Sequence, residues 1–227
     1  MSPVRPAGYE STTMARGVAP SPTSSVWDLI PDGPTLESVR DASRTCTACP
    51  LYRDATQTVF GEGGSTADVV FVGEQPGDQE DRKGRPFVGP AGRLLDEALE
   101  QVGIDRSNVY VTNVVKHFKW QPKGKRRIHK KPAAEEIAAC RPWLETELDL
   151  LKPRVVVCLG ATAAQALLGR QFKLTQQRGQ WVESELAEWV TATVHPSSIL
   201  RAPDFREQDM AAFVRDLEKV AQKIAGT

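Results

Sequence analysis

The residues best equipped for chemistry lie in Lys123-Gly-Lys-Arg-Arg-Ile-His129-Lys-Lys131, where one histidine is surrounded by positive charge. From Lys116 to Lys131 the sequence holds eight Lys or Arg residues and no carboxylate. A loop of this kind attracts a polyanion, and the imidazole it carries can act on what is bound. Lys125, Arg126, Arg127 and Lys130 flank His129 and are the expected phosphate contacts. The footprint is local, because the whole chain balances 29 basic against 29 acidic residues. A solvated basic loop with an idle histidine would have the same composition, so the rest of the chain must decide.

Four cysteines form a second group. Cys46-Thr-Ala-Cys49 is a C-x-x-C bite followed by Pro50, whereas Cys140 and Cys158 arrive singly, on a predicted helix and a predicted strand. In a reducing compartment these are metal ligands or buried thiols rather than disulfides. Four thiolates suit zinc or an iron–sulfur cluster, and spacing does not choose between them. Cys158, inside Val155-Val-Val-Cys-Leu159, also reads as a core side chain. A ligand set drawn from the start and middle of the chain would staple the N-terminal arm to the core, which is a structural task.

The elements that position these groups follow from hydrophobic periodicity. Residues 68–73, 109–113, 154–159 and 189–194 are short apolar runs rich in β-branched side chains, as buried parallel strands require. Residues 91–102, 133–151, 161–168 and 204–225 carry apolar positions at three- and four-residue spacing. Pro132 suits a first helical turn, and Pro153 ends the long helix. The alternation predicts an α/β fold, a three-layer αβα sandwich around a central, mainly parallel four-stranded sheet. The Pro- and Ser-rich residues 1–35 read as a disordered tail ahead of one domain at 36–227. With no apolar run long enough for a signal peptide or a membrane span, a monomeric cytoplasmic protein without a membrane partner is expected.

Ligands of such sheets bind beyond the carboxyl ends of the strands. Three polar segments follow strand ends here: Gly73-Glu-Gln-Pro-Gly-Asp78, Asn113 ahead of the basic loop, and His195-Pro-Ser-Ser-Ile-Leu-Arg201. Glu74, Asn113 and His195 are therefore expected to share one crevice. The first segment is no G-x-G-x-x-G turn, which excludes a dinucleotide-binding site.

Gly73-Glu-Gln-Pro-Gly77, the segment from Gly84 to Leu95, Thr112-Asn-Val-Val-Lys116, His195-Pro-Ser-Ser198 and the cysteine spacing together resemble the uracil-DNA glycosylase superfamily, near its iron–sulfur branch. The likeness covers about residues 40 to 225. Gln75 and the Lys-Arg-Arg-Ile-His insert look like the UdgX type, whose members become covalently joined to uracil-containing DNA; the ordinary branch has Ala at the first position and a shorter loop at the second. The resemblance implies a structural [4Fe-4S] cluster on Cys46, Cys49, Cys140 and Cys158, and uracil-containing DNA as partner.

Site roles follow from the resemblance and the chemistry of each side chain. A glycosylase flips its target nucleotide and reads the Watson–Crick edge. Phe87 is expected to stack on the uracil, with Gln75 among the uracil-binding residues. Asn113 can accept from N3–H while donating to O4. His195 would donate to O2 of the departing anion. Ser197 and Ser198 would grip a phosphate, and Leu200 and Arg201 would fill the space the base leaves. Glu74 and His129 form the deciding pair, in which a neutral imidazole takes the place of water at C1′ and Glu74 accepts its ring proton. Asp78 is expected to hold the Glu74 loop. Two rival expectations remain: a conventional turnover glycosylase with His129 on phosphate, and a non-catalytic iron–sulfur DNA-binding protein. His117 is expected at the surface of the basic loop.

Overall fold

The computed structural model describes residues 25–226. Its strands are β1 (Val69–Gly73), β2 (Val109–Asn113), β3 (Trp120–Lys123), β4 (Arg126–His129), β5 (Val155–Leu159), β6 (Trp181–Val182) and β7 (Trp189–Thr193). Its helices are α1 (Leu36–Ser43), α2 (Asp78–Lys83), α3 (Pro90–Gln101), α4 (Ala134–Leu151), α5 (Ala161–Leu168), α6 (Leu174–Gln177), α7 (Pro196–Leu200) and α8 (Arg206–Ala225). The main sheet runs β2-β1-β5-β7-β6. The four expected strands pair in parallel, and the two-residue β6 adds a short antiparallel edge against β7.

Side-chain alternation builds the layers. Val70, Val72, Val156, Cys158, Val190 and Ala192 pack on one face with residues of α1, α4 and α5. Val69, Phe71, Val155, Val157 and Leu159 pack on the other with residues of α3 and α8. Both faces are covered, which is why every residue of β1, β2 and β5 is buried.

Two expectations are corrected. The expected tail boundary at residue 35 lies too late: residues 1–24 fall outside the described residues, but Val26–Leu29 forms a 3-10 turn in which Val26 is buried in the core beside α4. The basic loop is instead a β-hairpin, β3 paired with β4 from Trp120↔His129 to Lys123↔Arg126. Gly124 opens its two-residue turn at φ +58°, the conformation a II′ turn demands at its first central position. His129 thus stands at the end of a strand with a fixed register.

Candidate active site

Glu74, Asn113 and His195 do converge. They line one cavity of about 680 Å³ together with Phe87, Leu159, Gly160, His129 and Arg201. Glu74 follows β1, Asn113 ends β2 and His195 caps α7, so the parallel sheet brings three distant segments to one edge.

Asn113 is almost fully buried, and its side chain makes no hydrogen bond among the described residues, leaving both ends of the amide for a ligand. Gly73 lies beneath it. A Cβ there would collide with the Asn113 side-chain oxygen and come within 2.9 Å of the Phe87 ring. Phe87 is held at φ +55°, a left-handed backbone that a bulky residue adopts only under constraint. Part of that constraint is Glu80, whose carboxylate accepts the Gly89 N–H at 2.7 Å. The Phe87 and His195 rings face each other at 6.1 Å and 27°.

The His195 Nδ1 accepts the Ser197 N–H at 3.1 Å. A neutral ring therefore carries its proton on Nε2. Burial, with Arg201 and His129 adding to it, pushes the His195 pKa down to about 4. The ring is thus a neutral donor at physiological pH. Ser198 donates its hydroxyl to the His195 carbonyl at 2.7 Å, and the Ser197 hydroxyl lies 2.9 Å from Nδ1 and accepts from Arg201 at 3.1 Å. The two serines organise the turn as well as facing the cavity. Leu200 packs against the α3 and α8 core rather than lining the cavity.

His129 reaches the cavity from the hairpin, its Nε2 3.4 Å from Glu74 Oε1. Its side chain is 49% exposed and that of Glu74 20%. Burial is the main cause that lowers the His129 pKa; Glu74 opposes it and Arg201 reinforces it. The ring is thus held toward neutrality first by desolvation, and the cation that assists is Arg201, not one of the hairpin's own.

Three assignments change once partners are seen. Gln75 lines the cavity, but its polar groups are engaged in holding the hairpin: its amide donates to the carbonyls of Lys119 (3.1 Å) and Lys130 (3.0 Å), and its oxygen accepts the Lys119 N–H (3.1 Å). It clamps both feet of the hairpin to the Glu74 loop. Arg127 is not a free DNA contact, because its side chain is 14% exposed and paired with Asp78 and with Asp81 at 2.6 Å. Asp78 does not line the cavity; through Arg127 it ties α2 to β4. Of the expected phosphate contacts, Lys125, Arg126 and Lys130 remain exposed, and Arg201 stands on the rim without an ion-pair partner among the described residues.

The family model for the uracil DNA glycosylase superfamily matches residues 60–218. The chain belongs to the uracil-DNA glycosylase superfamily. It is 41% identical over 186 residues to the type-4 uracil-DNA glycosylase of Thermotoga maritima, covering 81% of this chain and 92% of that one. It is 38% identical to the type-4 enzyme of Pyrobaculum aerophilum, covering 78% and 92%, and 37% identical to that of Archaeoglobus fulgidus, covering 82% and 94%.

In this superfamily member Cys46, Cys49 and Cys140 are all buried and near enough to influence one another's charge. Trp143 Nε1 donates to Cys46 Sγ at 3.4 Å, and the Lys116 N–H donates to Cys140 Sγ at 3.2 Å. Burial pushes the Cys140 thiol up to about 12, opposed by Lys116, with Cys49 and Cys46 adding to the rise. Cys49 is raised by burial and by Cys46. Cys158, on β5, is raised to about 12 by burial alone. His117, expected at the surface, is buried one residue from the Cys140 contact. Burial lowers its pKa to about 4 against the opposing pull of Asp81, and its ring makes no hydrogen bond among the described residues. Buried thiols are donors of the kind that suits a soft metal centre, although among the described residues no three His, Cys, Asp or Glu side chains are arranged to hold a metal ion. No helix of the described residues is long and apolar enough to cross a membrane.

Sequence reasoning missed Glu80, His117 and the buried Lys116–Glu147 pair. A signal existed for the first, since Gly77-x-x-Glu80 places a carboxylate in the first turn of α2.

Proposed function

We propose that this protein excises uracil from DNA. The observation that carries the reading is the meeting of Glu74, Asn113, His195 and Phe87 in one cavity at the strand ends. Phe87 offers its ring face to the flipped base, and Asn113 accepts from N3–H and donates to O4. Scission of the N1–C1′ bond sends its electron pair to uracil. His195 Nε2–H donates to O2 and stabilises that anion without giving up its proton. Lys125, Arg126, Lys130, Ser197, Ser198 and Arg201 hold the phosphates. Release of free uracil from a labelled single-stranded oligonucleotide tests this; DNA binding without release would support a non-catalytic binding protein instead.

The finer proposal concerns the electron-poor C1′. His129 stands beside Glu74 at the cavity mouth, so a neutral ring nitrogen bonds to C1′ while Glu74 takes the proton from the ring. The product is a covalent DNA–protein adduct after one turnover, as in the UdgX type. Gln75 and Asp78 serve this step indirectly by fixing the hairpin. A second reading, hydrolytic turnover with water at C1′, is favoured by the relatives, which are named as type-4 uracil-DNA glycosylases.

Cys46, Cys49 and Cys140 would hold a [4Fe-4S] cluster, with the His117 ring completing the set in place of Cys158. When bound, the cluster supplies a structural cross-link between the segment around residue 46 and α4.

A further inference from the structure

We infer that Lys116 is a positioning residue for base recognition, its ammonium fixing the Asn113 backbone from helix α4. This rests on the proposal that Asn113 reads the base. The side chains of Lys116 and Glu147 are fully buried. The ammonium spends all three donors: 2.5 Å to Glu147 Oε2, 2.7 Å to Thr112 Oγ1 and 2.8 Å to the Asn113 carbonyl. Glu147 is fixed in turn, its Oε1 accepting the Gly61 N–H and the Tyr110 hydroxyl, each at 2.9 Å.

The Asn113 side chain has no hydrogen-bond partner among the described residues, so its backbone, together with close packing over Gly73, decides where its amide points. That backbone is held from two sides. Val114 and Val115 donate their N–H groups to the carbonyls of Gly73 (2.9 Å) and Glu74 (3.0 Å), and Lys116 binds the Asn113 carbonyl itself. A buried ion pair is a poor stabiliser compared with apolar residues of the same volume. Its placement against the base-reading residue supplies another reason for it, namely orientation. Lys116 also spans two regions, because its N–H donates to Cys140 Sγ and α4 carries both Cys140 and Glu147. Changing the side chain leaves that backbone bond intact.

The test is the double variant Lys116→Met/Glu147→Gln, since either change alone strands a charge in the dry core. Single-turnover excision is measured against protein concentration on uracil and matched cytosine oligonucleotides, alongside affinity for undamaged DNA and iron content per chain. We expect the half-saturating concentration for uracil DNA to rise about tenfold with the saturated rate falling much less. Undamaged-DNA affinity and iron content should stay unchanged. Wild-type half-saturation in the folded variant overturns the inference, and so does an equal loss of undamaged-DNA affinity, which would mark a merely structural role. Thr112→Val, which keeps the charges paired and removes one anchor of the ammonium, carries the same expectations if the double variant does not fold. Asn113→Ala is run in parallel: if it keeps uracil selectivity, base reading at Asn113 has failed, and the role of Lys116 falls with it.

Discussion

His129 Nε2 lies 3.4 Å from Glu74 Oε1, close enough for an ion pair but without a hydrogen bond. The imidazole is therefore steered without being consumed, and both partners face the cavity where C1′ of a flipped nucleotide would arrive. Replacing His129 by Ser should leave base recognition intact and admit water. Adduct should vanish and free uracil should exceed the protein in moles. A denaturant-resistant adduct formed by this variant would assign the nucleophile to another residue.

The acid side of the pH profile should be governed by His129. Its pKa lies below the usual histidine value, and a ring acts as nucleophile only when neutral, so capture should be nearly flat from about pH 7 upward and fall as acid protonates the ring. His195, down at about 4, stays neutral throughout that range. Single-turnover rates between pH 5 and 8 check this; a rate that rises on acidification would contradict it.

Gln75→Ala removes three hydrogen bonds that clamp the hairpin feet. Each is worth about 1 kcal/mol, so capture should drop roughly tenfold to a hundredfold. Uracil excision should fall much less, because Asn113 and His195 belong to other segments. Quantifying both products from one reaction separates the two.

Asn113→Ala should cost about 10²-fold or more in uracil-dependent rate, since a site built to pair polar groups discriminates strongly. Binding to undamaged DNA should be retained. Equal loss of both, measured by fluorescence anisotropy, would make Asn113 a structural residue.

Iron content distinguishes the fourth ligand. His117→Ala should lower iron and sulfide per chain and the associated visible absorbance, whereas Cys158→Ser should leave both near wild type. The reverse pattern would restore Cys158 to the ligand set.

The sheet was legible because β1, β2, β5 and β7 are short runs of apolar and β-branched residues, and the strand-end rule then located Glu74, Asn113 and His195. The hairpin was hidden by its composition: Pro122 and six charged residues between 119 and 130 argue against a strand. Partnerships were hidden by distance along the chain. Arg127 meets Asp78 across 49 positions and Lys116 meets Glu147 across 31, so a run of cations that reads as a phosphate surface is partly a set of internal ties. His117 looked like part of that surface because burial of a histidine leaves no local sequence signature.

Denaturing gel electrophoresis of a labelled uracil oligonucleotide after mixing with the protein tests the account most directly. It predicts a slower band that survives heat and detergent, in amounts no greater than the protein added. An abasic product without that band would contradict capture by His129, and an oligonucleotide left wholly intact would contradict uracil excision itself.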